Sequence, residues 1–195
     1  IATLKSELWR RFYLSVIVSS LFLTFIIRAF AWQILLSSDS IVPTIASAIG
    51  LLEEPVALVP SYFALVVGMV YVFLPFMVLT LYTSIRDVDN SLQEASRSLG
   101  ARPLRTFREV TLPLTKSGII SGSMLVFVLS LGVYVLPRIL GNPPQWTLAV
   151  LIGNQVGVEG NIPYGATISI VLLIVVGIIL GTGWFLTSAD RRGSL

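Results

Sequence analysis

The chain has 195 residues, 55% of them apolar and 12% charged, with a formal net charge of +3 and a mean hydropathy of +0.89. Soluble domains carry about 25% charged residues, so this apolar surface has no single soluble core to hide in, and lipid is its solvent. Cysteine and histidine are both absent, which removes disulfides, the common zinc motifs, cysteine nucleophiles and histidine-based triads, and no Gly-Lys pair exists to build a phosphate-binding P-loop.

A helix needs about 20 mostly apolar residues to cross a bilayer, and four stretches reach that length. The first, 12–36, follows Lys5, Arg10 and Arg11 and carries one charge, Arg28. It is too long for the apolar region of a signal peptide and lacks a small-residue cleavage site. Residues 39–52 then place Ile41, Ile45, Ala48, Ile49 and Leu52 at helical spacing, and Pro55 ends the segment; a short helix along the outer interface is expected. The second span, 62–85, is uncharged and contains Pro75. Residues 86–117 form a basic loop, and the third span, 118–140, carries Arg138 near its end. After Asn142-Pro143-Pro144, residues 145–158 are too few to span and predict a re-entrant or surface helix. Asn161-Ile162-Pro163 restarts a helix, with proline where its missing N–H costs nothing, and the fourth span, 164–188, is uncharged. The fold class expected is an all-α membrane protein, a polytopic helical bundle with four transmembrane helices, and 1–195 is one domain.

Eleven of the 13 lysines and arginines fall before the first span, between the second and third, or after the fourth. That places them on one side of the alternating topology, and the positive-inside tendency makes that side cytoplasmic. Membrane orientation therefore accounts for the positive charge without nucleic acid. Both ends of the chain and the 86–117 loop are expected to face the cytoplasm.

That loop carries the most specific pattern. Asp89 is a candidate N-cap, followed by Leu92, Ala95, Ser96 and Leu99 on one helical face. Gly100 suits the left-handed position that closes a helix. Pro103 opens a second basic helix with Leu104, Arg105, Phe107 and Arg108, and Pro113 closes the loop. Two short helices locked at a glycine corner transmit force, where a flexible loop would absorb it. On composition alone, an amphipathic interfacial helix whose arginines meet lipid headgroups fits equally well.

The order Glu94-Ala95-Ser96, then Gly100, then Val110-Thr111-Leu112-Pro113 between two apolar spans closely resembles the EAA loop of ATP-binding-cassette (ABC) importer permeases. Segments 27–32, 74–77, 134–137 and 163–166 look like the spermidine/putrescine-type members and extend the resemblance over nearly the whole chain. Ser96 stands where the motif has alanine, one small residue for another. The resemblance implies a type I importer permease with no catalytic group, metal or cofactor in this chain, ATP and Mg being bound by partner ATPase subunits. It implies a coupling site of Glu94, Ala95, Ser96, Gly100, Arg105, Leu112 and Pro113. The implied partners are ABC ATPase subunits, a second permease subunit, an extracytoplasmic solute-binding protein and the bilayer. Members of the family usually have six spans, so two more are expected before Ile1.

Candidate pathway or gate residues are Arg28, Trp32, Pro75 and Tyr134. Arg28 is the one ionisable group well inside a predicted span, a functional-site position by default; snorkelling to the outer interface beside Trp32 is the competing reading. Pro75 should kink its helix. Gly118/Gly122 and Gly177/Gly181 form G-x-x-x-G pairs that permit close helix approach, within the chain or between subunits. No carboxylate lies in a predicted span as a counter-ion for a polyamine, which leaves substrate choice to partner proteins. Two rival classes remain: a lipid-acting membrane enzyme, for which the acidic residues all lie outside the spans and no His or Cys exists, and an ATP-independent channel, which binding to a purified ATPase subunit would separate from an importer.

Overall fold

A computed structural model describes residues 7–192; Ile1, Lys5 and Ser194 lie outside them. The order of helices is α1 (Glu7–Leu21), α2 (Phe25–Leu35), α3 (Ile41–Ala48), α4 (Tyr62–Arg86), α5 (Asn90–Ser98), α6 (Pro103–Thr106), α7 (Leu112–Leu114), α8 (Lys116–Leu131), α9 (Val135–Leu140), α10 (Leu148–Gly157) and α11 (Ile162–Arg192). A π-turn, Phe107–Thr111, joins α6 to α7, and a 3-10 turn, Pro143–Gln145, precedes α10. No strand occurs among the described residues. The interfacial segments expected over 39–52 and 145–158 correspond to α3 and α10.

The apolar run 12–36 is built from two helices, α1 and α2. It breaks between them, at residues 22–24. The cause is Thr24, whose hydroxyl accepts the Ile27 N–H at 3.3 Å and starts a new helix. Hydropathy hid this cap, because one threonine barely lowers the mean of an apolar run.

The run 118–140 is also divided. α8 ends at Leu131, and α9 begins at Val135. Pro137 has no N–H to offer the Val133 carbonyl four residues back, and the Thr147 hydroxyl donates to that carbonyl at 2.6 Å instead. By contrast, α4 runs unbroken through Pro75, which is buried. α4 and α11 are each long and apolar enough to cross a membrane. In α11 only 6% of the apolar window is buried, so its surface needs lipid or another subunit around it.

The chain forms two compact units. One comprises the N-terminal segment to Ser19, Pro75–Phe127 and the C-terminal segment from Gly177. Here α8 lies close against α4: a Cβ on Gly118 would come within 2.3 Å of the Ser84 side chain, and one on Gly122 within 2.9 Å of the Met77 sulfur. Among the described residues nothing lies within 4 Å of the corresponding positions on Gly177 and Gly181, so of the two glycine pairs the first is the one seen to pack against them.

The other unit comprises Ser20–Leu74 and Val128–Val176. Its core gathers Ala29, Leu36, Ala64, Val72, Leu136, Leu140 and Val150, all essentially inaccessible. In lipid, such side chains hold helices together through close packing and not through removal from water. Ser61 caps α4 by accepting the Ala64 N–H, while its own N–H donates to the Leu140 carbonyl at the end of α9. Asn142 donates to the Pro60 carbonyl at 3.2 Å, so the start of α4 and the end of α9 are tied by main-chain and side-chain bonds together.

Candidate functional site

Residues 89–115 fold as a braced corner. The Asp89 carboxylate accepts the Ser91 N–H at 2.9 Å and caps α5. That bond and the Ser91 hydroxyl hold its pKa below the ordinary value. At the other end of α5 the chain closes as a Schellman motif: Gly100 N–H donates to the Arg97 carbonyl at 2.9 Å, and Ala101 N–H to the Ser96 carbonyl at 3.2 Å. Gly100 has φ +84°, a left-handed conformation that side chains disfavour.

Ser96, the third residue of the Glu-Ala-Ser motif, is half-buried, and its hydroxyl shares a hydrogen bond with that of Thr106 at 3.1 Å. This bond ties α5 to α6 across the corner. Thr106 is 3% exposed, and Thr111 and Thr115 are buried as well, with the Thr115 hydroxyl donating to the Thr111 carbonyl at 2.9 Å. The sequence placed Thr111 in the loop motif but gave no sign that any of the three is buried. Their spacing is irregular because the turn between them is π-helical: Leu112 N–H reaches back five residues to Phe107. Pro113, next in line, has no N–H for the ordinary ladder. Pro113 does not end the helical path, as the sequence suggested; it lies inside α7, and a 66° bend comes instead at the junction with α8.

Of the other predicted loop residues, Glu94, Ala95 and Pro113 are exposed. Arg105 is engaged with the Glu109 carboxylate, Nε to both oxygens at 2.9 and 3.0 Å, an exposed pair that adds little stability. The expected common face of Leu92, Ala95, Ser96 and Leu99 divides: Ser96 turns inward to Thr106, while Leu99 is 90% exposed. Leu104 at 75%, with Leu92, Phe107 and Leu112, extends the exposed apolar surface, and Arg97, Arg102, Arg105 and Arg108 are exposed around it.

Three of the four candidate pathway residues fall in the second unit. Arg28, in the first turn of α2, is 3% exposed. Its Nη2 donates to the Leu23 carbonyl at 2.8 Å, and its guanidinium lies 4.9 Å from the Phe25 ring centroid. It reaches back to the α1–α2 corner, not forward to Trp32. Nε and Nη1 are buried without a hydrogen-bond partner, and such a donor costs about 1–3 kcal/mol. Trp32 packs edge-on against Tyr71 at 5.6 Å. Tyr134 sits at the α8–α9 break and, with Phe25, Val128, Leu129 and Gly132–Leu136, lines a cavity of about 370 Å³. Pro75 belongs to the other unit. Beyond the predicted set, Arg138 lies over the Trp146 ring at 4.8 Å and donates to Asn154 at 3.4 Å, and Asn154 in turn donates to Glu159 at 2.9 Å.

Residues 9–192 match the family described as the binding-protein-dependent transport system inner membrane component. The spermidine/putrescine transport system permease protein PotB of Escherichia coli K12 is 37% identical over 163 residues, 82% of this chain and 58% of the relative. The Haemophilus influenzae protein of the same name is 31% identical over 172 residues, 88% of this chain and 60% of the relative. The inner membrane ABC transporter permease protein YdcU of Escherichia coli K12 is 32% identical over 182 residues, 87% and 57% of the two chains. The chain thus spans somewhat under two thirds of the curated relatives it matches. Among solved structures, an inward-facing MetNI methionine ABC transporter covers 94% of this chain and 76% of its own, at TM-score 0.66 and 22% identity. A bacterial ABC transporter that imports the acidic polysaccharide alginate covers 96% and 68%, at TM-score 0.71 and 19% identity.

Proposed function

The chain belongs to the inner membrane components of binding-protein-dependent transport systems, and from that premise we propose that it is one membrane-spanning half of an ATP-driven importer. In this reading ATP and Mg are bound by separate ATPase subunits, a second permease subunit completes the pathway, and an extracytoplasmic binding protein delivers the solute. The excess of lysine and arginine before α1, around α5–α7 and after α11 supports a cytoplasmic loop and cytoplasmic ends.

The observation that carries the proposal is the braced corner. An apolar crest of Leu99 and Leu104 stands exposed among four arginines, on a corner fixed by a cap, a Schellman closure and the Ser96–Thr106 bond. Such a crest is suited to a groove on a soluble partner, with Glu94, Ala95 and Ser96 beside it, and Arg105, Leu112 and Pro113 on the return limb. Because every joint is hydrogen-bonded, displacement of the crest moves α8 as well. Closure of an ATPase dimer would act on the pathway through that limb. Arg28, Trp32, Pro75 and Tyr134 are the residues of this chain we place on or beside the pathway.

Polyamines are the favoured solute, since two of the relatives named above are spermidine/putrescine permeases. This chain supplies a buried cation at Arg28 and no buried carboxylate among its described residues, so recognition of the ammonium groups falls to the binding protein or the second permease. Proteoliposomes holding the complete assembly test the reading. ATP-dependent uptake of labelled spermidine, abolished by leaving out the binding protein, is the expected result. Uptake that needs neither ATP nor the binding protein would refute it.

A further inference from the structure

Gly153 stands in the interior of α10, where glycine is a poorer helix former than any residue but proline. Its place has a packing reason. The three atoms nearest to a Cβ built there all belong to the Tyr134 ring, at 2.5, 3.3 and 3.4 Å, so the ring lies directly on the α10 backbone.

The main chain on both sides of this contact is pinned. Thr147 donates to the Val133 carbonyl at 2.6 Å, Val150 is fully buried, and Asn154 accepts from Arg138 at 3.4 Å. These three positions share one face of α10 and fasten that helix to the chain around Tyr134. On the other side Leu136 and Pro137 are fully buried, and the Arg138 N–H donates to the Tyr134 carbonyl at 3.3 Å. A side chain at position 153 is therefore met by movement of the ring itself. Tyr134 is 43% exposed and lines the cavity of about 370 Å³, and with the α10 side closed, that cavity is the space left to the ring. No charged side chain lines it, so it sorts what enters by length and bulk and not by pairing charges.

Resting on the importer reading, which puts Tyr134 on or beside the pathway, we propose that Gly153 is a positioning residue that sets the length of solute accepted. By giving the Tyr134 ring a seat on α10 it keeps the cavity open. It acts through Tyr134 and touches no solute. A larger residue at 153 tips the ring into the cavity and narrows it, at the expense of the longer solute.

The test uses the complete assembly in proteoliposomes and compares uptake of labelled spermidine with that of putrescine, which is shorter by an aminopropyl arm. Gly153→Ala should lower kcat/KM for spermidine relative to putrescine by roughly tenfold, the size of a small misfit in an apolar pocket. A change in that ratio under about twofold, the size of a neutral substitution, overturns the proposal. Alanine is the better helix former, so a glycine that served α10 alone would be replaced with no loss of stability and no change in selectivity. In a Tyr134→Ala background the same substitution should add nothing further, and an equal shift there contradicts action through Tyr134. If Gly153→Ala does not assemble, Gly153→Ala with Tyr134→Ala decides: its assembly supports the clash, and its failure refutes it. The structure of the Gly153→Ala assembly gives the direct reading. A ring displaced from α10 supports the proposal, and a ring in its parent position contradicts it. A parent assembly that transports neither amine counts against the proposed function itself, and the ring position then decides whether Gly153 seats Tyr134.

Discussion

At Gly100 the main chain has φ +84°, and a Cβ added there would meet nothing within 4 Å. The cost of a substitution is therefore conformational, about 1–3 kcal/mol for a β-branched residue held in this region. Gly100→Val should loosen the corner, measured as faster amide exchange over 90–98, whereas Gly100→Asn should do so much less because asparagine tolerates the conformation. Equal exchange in Gly100→Val and the parent would count against a strained corner. The Ser96–Thr106 bond makes a second residue-level test. Thr106 is buried, so Ser96→Ala leaves its hydroxyl unpaired at a cost of about 1–3 kcal/mol, while Ser96→Ala with Thr106→Val should cost less than the sum of the two. Strict additivity in the melting of the assembly would deny the bond. Asp89 gives a pH prediction. Its carboxyl is held below the ordinary pKa by the Ser91 N–H, so the cap is fully present above that ordinary value and is lost as pH falls through the lowered one. Protection of the Ser91 amide should be flat across the neutral range and fall only in acid, and Asp89→Asn, which cannot titrate, should remove the acid step.

At the scale of helices, the contact between α4 and α8 depends on two glycines. Gly118→Leu or Gly122→Leu would drive a side chain into Ser84 or into Met77 and Thr80, and overpacking of this kind costs about 1–3 kcal/mol. Lower thermal stability of the subunit is expected from either, and none from Gly177→Leu, whose surroundings in the chain are open. The reverse order would show that the α4–α8 contact is misplaced. These two pairs read identically in the sequence, because G-x-x-x-G states that helices can approach and not which ones do. The loop was far more legible. The Asp89 cap, the Gly100 closure and the Pro103 start each depend on residues within one turn, and local rules suffice for them. The breaks at Thr24 and after Leu131 were not legible by hydropathy, since apolar residues continue through both. Their causes, a threonine cap and a proline whose orphaned carbonyl finds Thr147, are single polar events inside long apolar runs. The burial of Thr106, Thr111 and Thr115 was not legible because it depends on the fold of the corner and on a π-turn that shifts the helical period.

For the whole molecule, the proposed orientation puts the α5–α7 corner in the cytoplasm and the turn before α3 outside. The chain has no cysteine, so single cysteines can report these sides: one at Ser98 should react only from the cytoplasm, and one at Ser38 only from outside. Labelling of Ser98 from outside in sealed cells would reverse the orientation. The central claim is that the corner couples solute delivery to ATP hydrolysis in another subunit, and its most direct measurement is solute-stimulated ATPase activity in complete assemblies carrying Glu94→Lys together with Gly100→Val. Neither position lies in α4, α8 or α11, so the apolar helices should insert and the binding protein should still dock. The account predicts that stimulation by loaded binding protein disappears along with uptake, while resting hydrolysis persists. An interfacial loop that only meets headgroups would lose about 1 kcal/mol per altered charge and would keep transporting. Full solute-stimulated hydrolysis in the double variant would contradict the coupling role.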